Sequence, residues 1–388
     1  MITNAALSNE DLLARLVAFD TVSCNSNLPL ADFISDYLDL PGVTIEQHRS
    51  PDDQKANLVI RTGAAEADLR AGLTLSGHMD VVPAEEPDWR SDPFSLTEEN
   101  GALVGRGACD MKGFIALAVN QLHRVSRLAQ AHAFALVLTY DEEVGTLGAR
   151  HLVENWPGIR SLPKNVIVGE PTSLHAVRMH KGHVKIAIEL SGKAAHSGYP
   201  HLGRSAIEPA GKVIAALTEL RTELESERAP NSDYFSEVPY PALNIGTVRG
   251  GVAVNVIPDE CVIEVGIRTL PGMPSEQLAD RVRKCLVRSV GSSNFRMRQS
   301  GESPPMELAS DAQLYETIVE ELKQQDTHAA SFATDAGWFQ SAGMECVLFG
   351  PGDMENAHRA NERISISQLR EAEAILHKLI DHFCGTEY

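Results

Sequence analysis

The stretch from Gly72 to Tyr140 reads as strand, helix, strand. "GLTLSGH" (72–78) and "AFALVLTY" (133–140) are short apolar runs, and "DMKGFIALAVNQLHRVSRL" (110–128) has the length and spacing of a helix packed on a sheet, opened by Asp110. "ANLVI" (56–60) before this stretch and "NVIVGE" (165–170) after it are further strand-like runs. Strands alternating with helices predict an α/β layer fold built on a mainly parallel sheet. At the start of the chain, "SNEDLLARLVAFD" predicts a helix that Ser8 caps, with Leu12, Leu13, Leu16 and Val17 on one face.

The texture changes after "MHKGH" (179–183). "VKIAIEL" alternates like a half-exposed strand, and residues 204–224 read as a helix. "PALNIGTVRG" and "CVIEVGIRTL" are two strands, "SEQLADRVRKCLVRSV" a helix and "NFRMRQS" a last strand. The order β-α-β-β-α-β is that of a ferredoxin-like module. From about residue 300 longer helices return, "AQLYETIVEELKQQ" and "SQLREAEAILHKLIDHF", around the apolar strand "CVLFG". The expected organisation is one domain made from both chain ends, residues 1–180 and 301–388, with a smaller domain, 181–300, inserted between them.

Size and charge narrow the function. A chain of 388 residues can bury one large or two medium cores. Its 34 basic and 53 acidic residues give a net charge of −19, a field that repels nucleic acid and anionic membranes. Apolar runs such as "FIALAV" stop well short of the ~20 residues a membrane span needs. The N-terminal "MITNAALSNEDLL" lacks the basic start and apolar stretch of a secretory leader. Six scattered cysteines with no Cys-x-x-Cys pair read as reduced thiols, so the expected location is the cytoplasm.

The chemistry gathers where strands stop. "LTLSGHMD" ends at His78 and Asp80, "VLTYDEE" at Glu142 and Glu143, and "VIVGEP" at Glu170. The loop after "CVLFG" carries His358. In an open parallel sheet, sites form at the carboxyl ends of the strands, so residues far apart in sequence can converge there. Two histidines with three carboxylates suit zinc, or cobalt and manganese as substitutes. A single catalytic zinc uses three protein ligands, so five candidates suit two ions with one carboxylate between them. Taken singly, each residue also has a plainer reading. His78 could be a core histidine, Asp110 a helix cap, Glu170 a turn acid, His358 a surface histidine and Cys109 a packing residue. Asp80 could orient His78, as metal-bound histidines require.

Seven motifs in order, "SGHMDVVP", "GRGACDMKGFIA", "DEEVGTLGAR", "GEPTSL", "HKGH", "AAHSGYPHLGRSAIE" and "GPGDMENAHRANE", resemble the aminoacylase, acetylornithine deacetylase and succinyl-diaminopimelate desuccinylase family of dizinc hydrolases over nearly the whole chain. The resemblance implies a zinc-exopeptidase-like catalytic domain and an inserted lid and dimerisation domain, hence a homodimer. It implies two Zn²⁺ per subunit: His78 and Glu170 on one, Glu143 and His358 on the other, and Asp110 bridging. It makes Glu142 the general base and Asp80 the support of His78. His196 would reach the partner subunit's active site and stabilise the oxyanion, and Asn255 and Arg268 would bind the substrate carboxylate. A guanidinium's planar fork matches a carboxylate. "GEPTSLHAVRMHKGH" and "VPYPALNIGTVRGG" are most similar to the acetylornithine deacetylases, which implies hydrolysis of N-acetyl-L-ornithine. "HSGYPHLGRSAIE" is similar to the desuccinylases, and "FATDAGWF" leaves Asp335 as either an amine partner or a turn former. Desuccinylation, broader aminoacylase or peptidase activity are the enzymatic alternatives. A non-catalytic metal or amino-acid binder on the same scaffold is the alternative from another class.

Overall fold

Leu73–His78, Phe134–Thr139, Asn165–Val168 and Glu345–Leu348 are buried almost along their whole length, as strands covered on both faces must be. They pair in the order Phe134–Thr139, Leu73–His78, Asn165–Val168, Glu345–Leu348, each contact parallel. Ala56–Thr62 and then Val43–Arg49 extend the sheet antiparallel beyond Phe134–Thr139. The sheet is therefore mainly parallel at its centre, as expected, and the four central strands stop at one common edge. The structure is a computed structural model that describes residues 6–63 and 70–387. Residues 1–5, part of the segment read above for a leader, lie outside the described residues.

The chain divides into two compact units. The first comprises Met1–Arg178, Glu307–His328 and Asp335–Tyr388, and the second Met179–Met306 with Ala329–Thr334. No sequence signal marked the short segment Ala329–Thr334 as part of the second unit. In the first unit, helix Asn9–Val17 forms as the pattern predicts. Ser8 accepts from the Asp11 N–H at 3.0 Å, and Leu12, Leu13, Leu16 and Val17 are buried.

The helix expected from Asp110 begins later, at Gly113, and runs to Val125. Ala108–Lys112 is instead an irregular turn in which Asp110 takes φ −121°, ψ 94° and makes no cap. The reason lies far away in sequence. Both carboxylate oxygens of Glu362 accept backbone N–H groups of this turn, those of Gly107, Cys109 and Asp110.

The second unit holds the antiparallel sheet Ala242–Gly250, Glu260–Thr269, Gly182–Ser191, Arg296–Ser303, in that spatial order. Helices Ile207–Glu225 and Ser275–Val290 cover one face. Val184, Ile186, Ile188 and Leu190 pack there against Val213, Leu217, Leu220, Val282 and Leu286. Chain order is β-α-β-β-α-β, the expected module.

Candidate metal centre

At the common edge of the parallel strands, the first unit assembles a tight group of acids and histidines. His78 ends its strand 1% exposed, with Nδ1 2.9 Å from the Asp80 carbonyl oxygen. That carbonyl takes the Nδ1 proton, so Nε2 is the nitrogen presented to the cluster, able to ligate a cation once its own proton is lost. Nε2 lies 3.0 Å from Asp110 Oδ1. Asp110 Oδ2 in turn lies 3.2 Å from His358 Nε2, and the same nitrogen is 3.1 Å from Glu143 Oε1. Ligand atoms of His78, Asp110 and Glu170 fall within 4.8 Å of one another, and so do those of Asp110, Glu143 and His358. Asp110 belongs to both groups.

The electrostatics is that of a site built for cations. Burial, with Asp110, Glu143 and Asp335 nearby, holds Glu170 well above the usual carboxylate range. Burial likewise pushes Glu142 and Glu143 up. Asp110 is driven the other way, because hydrogen bonds from His358 and His78 outweigh its burial. The hydrogen bonds that His358 donates to Asp110 and Glu143 raise it to about 10. Glu170 Oε1 is buried with no hydrogen-bond partner, an arrangement that costs free energy unless a cation completes it. These donors, two imidazoles with Asp110, Glu143 and Glu170, fit two divalent ions sharing the Asp110 carboxylate.

Glu142 belongs to neither ligand group. Its place is set through the backbone by Asp80, whose Oδ1 accepts the Glu142 N–H at 3.0 Å and whose Oδ2 accepts that of Glu143 at 3.3 Å. Ser23 Oγ donates to the same carboxylate at 2.7 Å. The Asp80 carboxylate is 3.7 Å from His78 Nδ1, beyond hydrogen-bond range. Asp80 thus supports His78 with its main chain and positions both glutamates with its side chain.

Asp141 acquires a purpose as well. It sits at φ 55°, and its carboxylate pairs with Lys55, which also donates to the Ser23 carbonyl at 2.5 Å. Lys55, Ser23 and Asp80 therefore hold the turn that carries Glu142 and Glu143. No sequence pattern singled out Lys55 or Ser23, because a surface-type lysine in a loop has no local signature. Asp335 is fully buried, with Oδ2 accepting from Thr139 Oγ1 at 2.5 Å and Oδ1 unpartnered. Burial lifts it to about 7.

In the second unit, His196 pairs with Val256 across the strands Ala195–His196 and Val256–Ile257, and Asn255 precedes the second of them, its carbonyl accepting the Ser197 N–H at 2.9 Å. His196 and Asn255 are exposed. Arg268 stands on the sheet opposite His183 on one side and Ala242 on the other.

Residues 74–382 match the model of peptidase family M20/M25/M40. The chain is 38% identical to an acetylornithine deacetylase of Myxococcus xanthus over 96% of its own length and 97% of that protein. It is 33% identical to an acetylornithine deacetylase of Proteus mirabilis, with 97% of each covered. Among solved structures, an M20 family metallo-carboxypeptidase from Sulfolobus solfataricus superposes with TM-score 0.79 at 16% identity, over 97% of this chain and 99% of that one. A dinuclear metal-binding M20 peptidase from Bacillus subtilis superposes with TM-score 0.64 at 15% identity, over 98% of each chain. A family model spanning most of the chain and relatives of this identity over nearly full length lead to one conclusion: the chain belongs to peptidase family M20/M25/M40.

Proposed function

We propose that the protein is a metal-dependent amidohydrolase that cleaves N-acetyl-L-ornithine to acetate and L-ornithine, a step of arginine biosynthesis. The observation that carries the reaction type is the pair of ligand groups sharing Asp110, with Glu142, the chain neighbour of Glu143, outside both. The near full-length similarity to acetylornithine deacetylases supports the substrate.

His78 and Glu170 would hold one ion, Glu143 and His358 the other, and Asp110 both. Zn²⁺ is proposed, two per subunit, with Co²⁺ or Mn²⁺ able to substitute. Such ions supply Lewis acidity, which lowers the pKa of water and polarises a carbonyl. Glu142 takes the proton of the attacking water as the oxygen bonds to the acyl carbon. It then delivers that proton to the amide nitrogen as the C–N bond breaks, which balances water plus amide against acetate plus amine. Arg268 and Asn255 anchor the α-carboxylate, and a ring N–H of His196, contributed to the partner subunit of a homodimer formed through the second unit, donates to the oxyanion. The six cysteines stand as thiols and not as disulfides, which suits the cytoplasm. Among the described residues no helix is long and apolar enough to cross a membrane.

An amine-release panel with added zinc or cobalt tests the reading. It compares N-acetyl-L-ornithine with other N-acetyl amino acids, N-succinyl-L,L-diaminopimelate and dipeptides. Turnover of N-acetyl-L-ornithine above the rest is expected. An inert acetylornithine beside a good N-succinyl or dipeptide substrate reassigns the substrate, and metal binding with no amine released from any compound makes the protein a binder.

A further inference from the structure

His78 and Glu170 sit at the ends of buried parallel strands, which fix their backbones. His358 does not. It lies in the polar loop after Glu345–Leu348, at φ 57°, with a side chain 45% exposed. Asp110, the shared carboxylate, sits in the irregular turn Ala108–Lys112. Something other than sheet or helix must hold these two segments in register.

Glu362, four residues beyond His358, is 1% exposed and uses both oxygens. Oε1 accepts the N–H groups of Cys109 at 2.9 Å and of Asp110 itself at 3.0 Å. Oε2 accepts the Gly107 N–H at 3.0 Å and Arg106 Nη1 at 2.8 Å. Arg106 is fully buried, and its Nη1 also donates to the carbonyl of Arg359, the residue after His358, at 3.3 Å. Its Nη2 donates to the Pro83 carbonyl at 2.8 Å and to Glu86 at 2.7 Å, and its guanidinium lies over the Trp89 ring. Four donors converge on one buried carboxylate and occupy both of its oxygens. Its two oxygens grip the backbone of one ligand, and its guanidinium partner grips the backbone next to another.

We propose that Glu362 and Arg106 are positioning residues that preorganise the Asp110–Glu143–His358 cation subsite, and that this subsite depends on them more than the His78–Asp110–Glu170 subsite does, whose other two ligands are carried by strand ends. The inference rests on the two-cation reading above and goes beyond it, because neither residue touches a cation or substrate. Buried networks of this kind act through geometry, and loss of a residue that orients a ligand typically weakens metal binding by about 10–100-fold. Glu362→Gln keeps the shape but turns an –NH₂ toward a pair of donors. Arg106→Lys keeps the charge but loses the fork that reaches Oε2 and the Arg359 carbonyl together.

The full-length, metal-free protein and both variants are titrated with Co²⁺ and followed by calorimetry and visible absorption. The wild type is expected to take two ions. Each variant should keep the tighter site within a few-fold and lose about 10–100-fold at the weaker one. Excess Co²⁺ should then restore kcat with KM unchanged, which a general loss of stability would not do. Unchanged affinities at both sites in a folded variant, or equal weakening at both, overturn the proposal. A wild type that binds no second ion overturns the two-cation reading instead. Should Glu362→Gln fail to fold, Arg106→Lys decides. Should both fail, hydrogen exchange on the metal-free wild type decides. Amides of Gly107, Cys109 and Asp110 protected like those of the central strands support preorganisation, and solvent-like exchange there refutes it.

Discussion

Adjacent acids at Glu142 and Glu143 carry different tasks because the chain beneath them is held from two directions. Asp80 accepts both of their N–H groups, and Lys55 ties Asp141 to the Ser23 carbonyl. Glu143 turns to His358 and Asp110, and Glu142 stays outside both ligand groups. Replacing Glu142 by Gln should therefore leave Co²⁺ stoichiometry unchanged and cut kcat by about 10²–10⁴-fold, the usual contribution of a positioned acid–base group. Metal analysis alongside steady-state kinetics checks this, and a metal-loaded Gln variant with near wild-type kcat would remove Glu142 from the proton transfer. The histidines and acids at the strand ends were readable from sequence, since an apolar run that stops at His or Glu marks its own end. Lys55, Arg106 and Glu362 were not. Their partners, backbone groups and side chains alike, come within reach only through tertiary contact.

Elements meet closely at the end of the strand Asn165–Val168. A Cβ placed on Gly169 would fall 2.0 Å from ring atoms of Phe114, on the helix Gly113–Val125. That helix can approach the strand end only because residue 169 has no side chain, and the next residue is Glu170. Gly169→Ala should therefore destabilise the protein by about 1–3 kcal/mol through overpacking and weaken Co²⁺ binding by displacing Glu170. Urea unfolding and metal titration of the one variant measure both effects; a variant as stable as the wild type would show that Phe114 swings away at little cost. The strands and most helices were legible from periodicity. The spacing from Asp110 onward suits a helix, whereas Ala108–Lys112 forms an irregular turn in which Glu362 claims the N–H groups of Cys109 and Asp110.

For the whole molecule, the second unit buries charge-capable groups that sense acid. His180 is fully buried, with Nδ1 2.9 Å from the Lys181 carbonyl and Nε2 3.2 Å from Thr334 Oγ1. Burial pushes it from 6.5 to about 4. Burial and Arg268 push His183 down to about 4 as well. Below pH 6.5 the unfolded chain takes up protons that the folded one refuses. Stability present above pH 6.5 is therefore lost as pH falls toward about 4, by up to about 3 kcal/mol for His180. Thermal melts of His180→Gln at pH 7.5 and 5 should show a smaller drop than the wild type, and an equal drop would assign the acid limb to other groups.

Sequence alone determined the alternation of strand and helix, the inserted β-α-β-β-α-β order and the residue types offered at strand ends, because these follow from local periodicity and from side-chain chemistry. Tertiary structure alone decided which strands lie side by side, that Asp80 serves the backbone of Glu142 and Glu143, and that Glu362 holds the turn of Asp110. Each of those depends on hydrogen bonds between segments tens to hundreds of residues apart, and a backbone N–H or carbonyl carries no mark in the sequence of the distant partner it will meet.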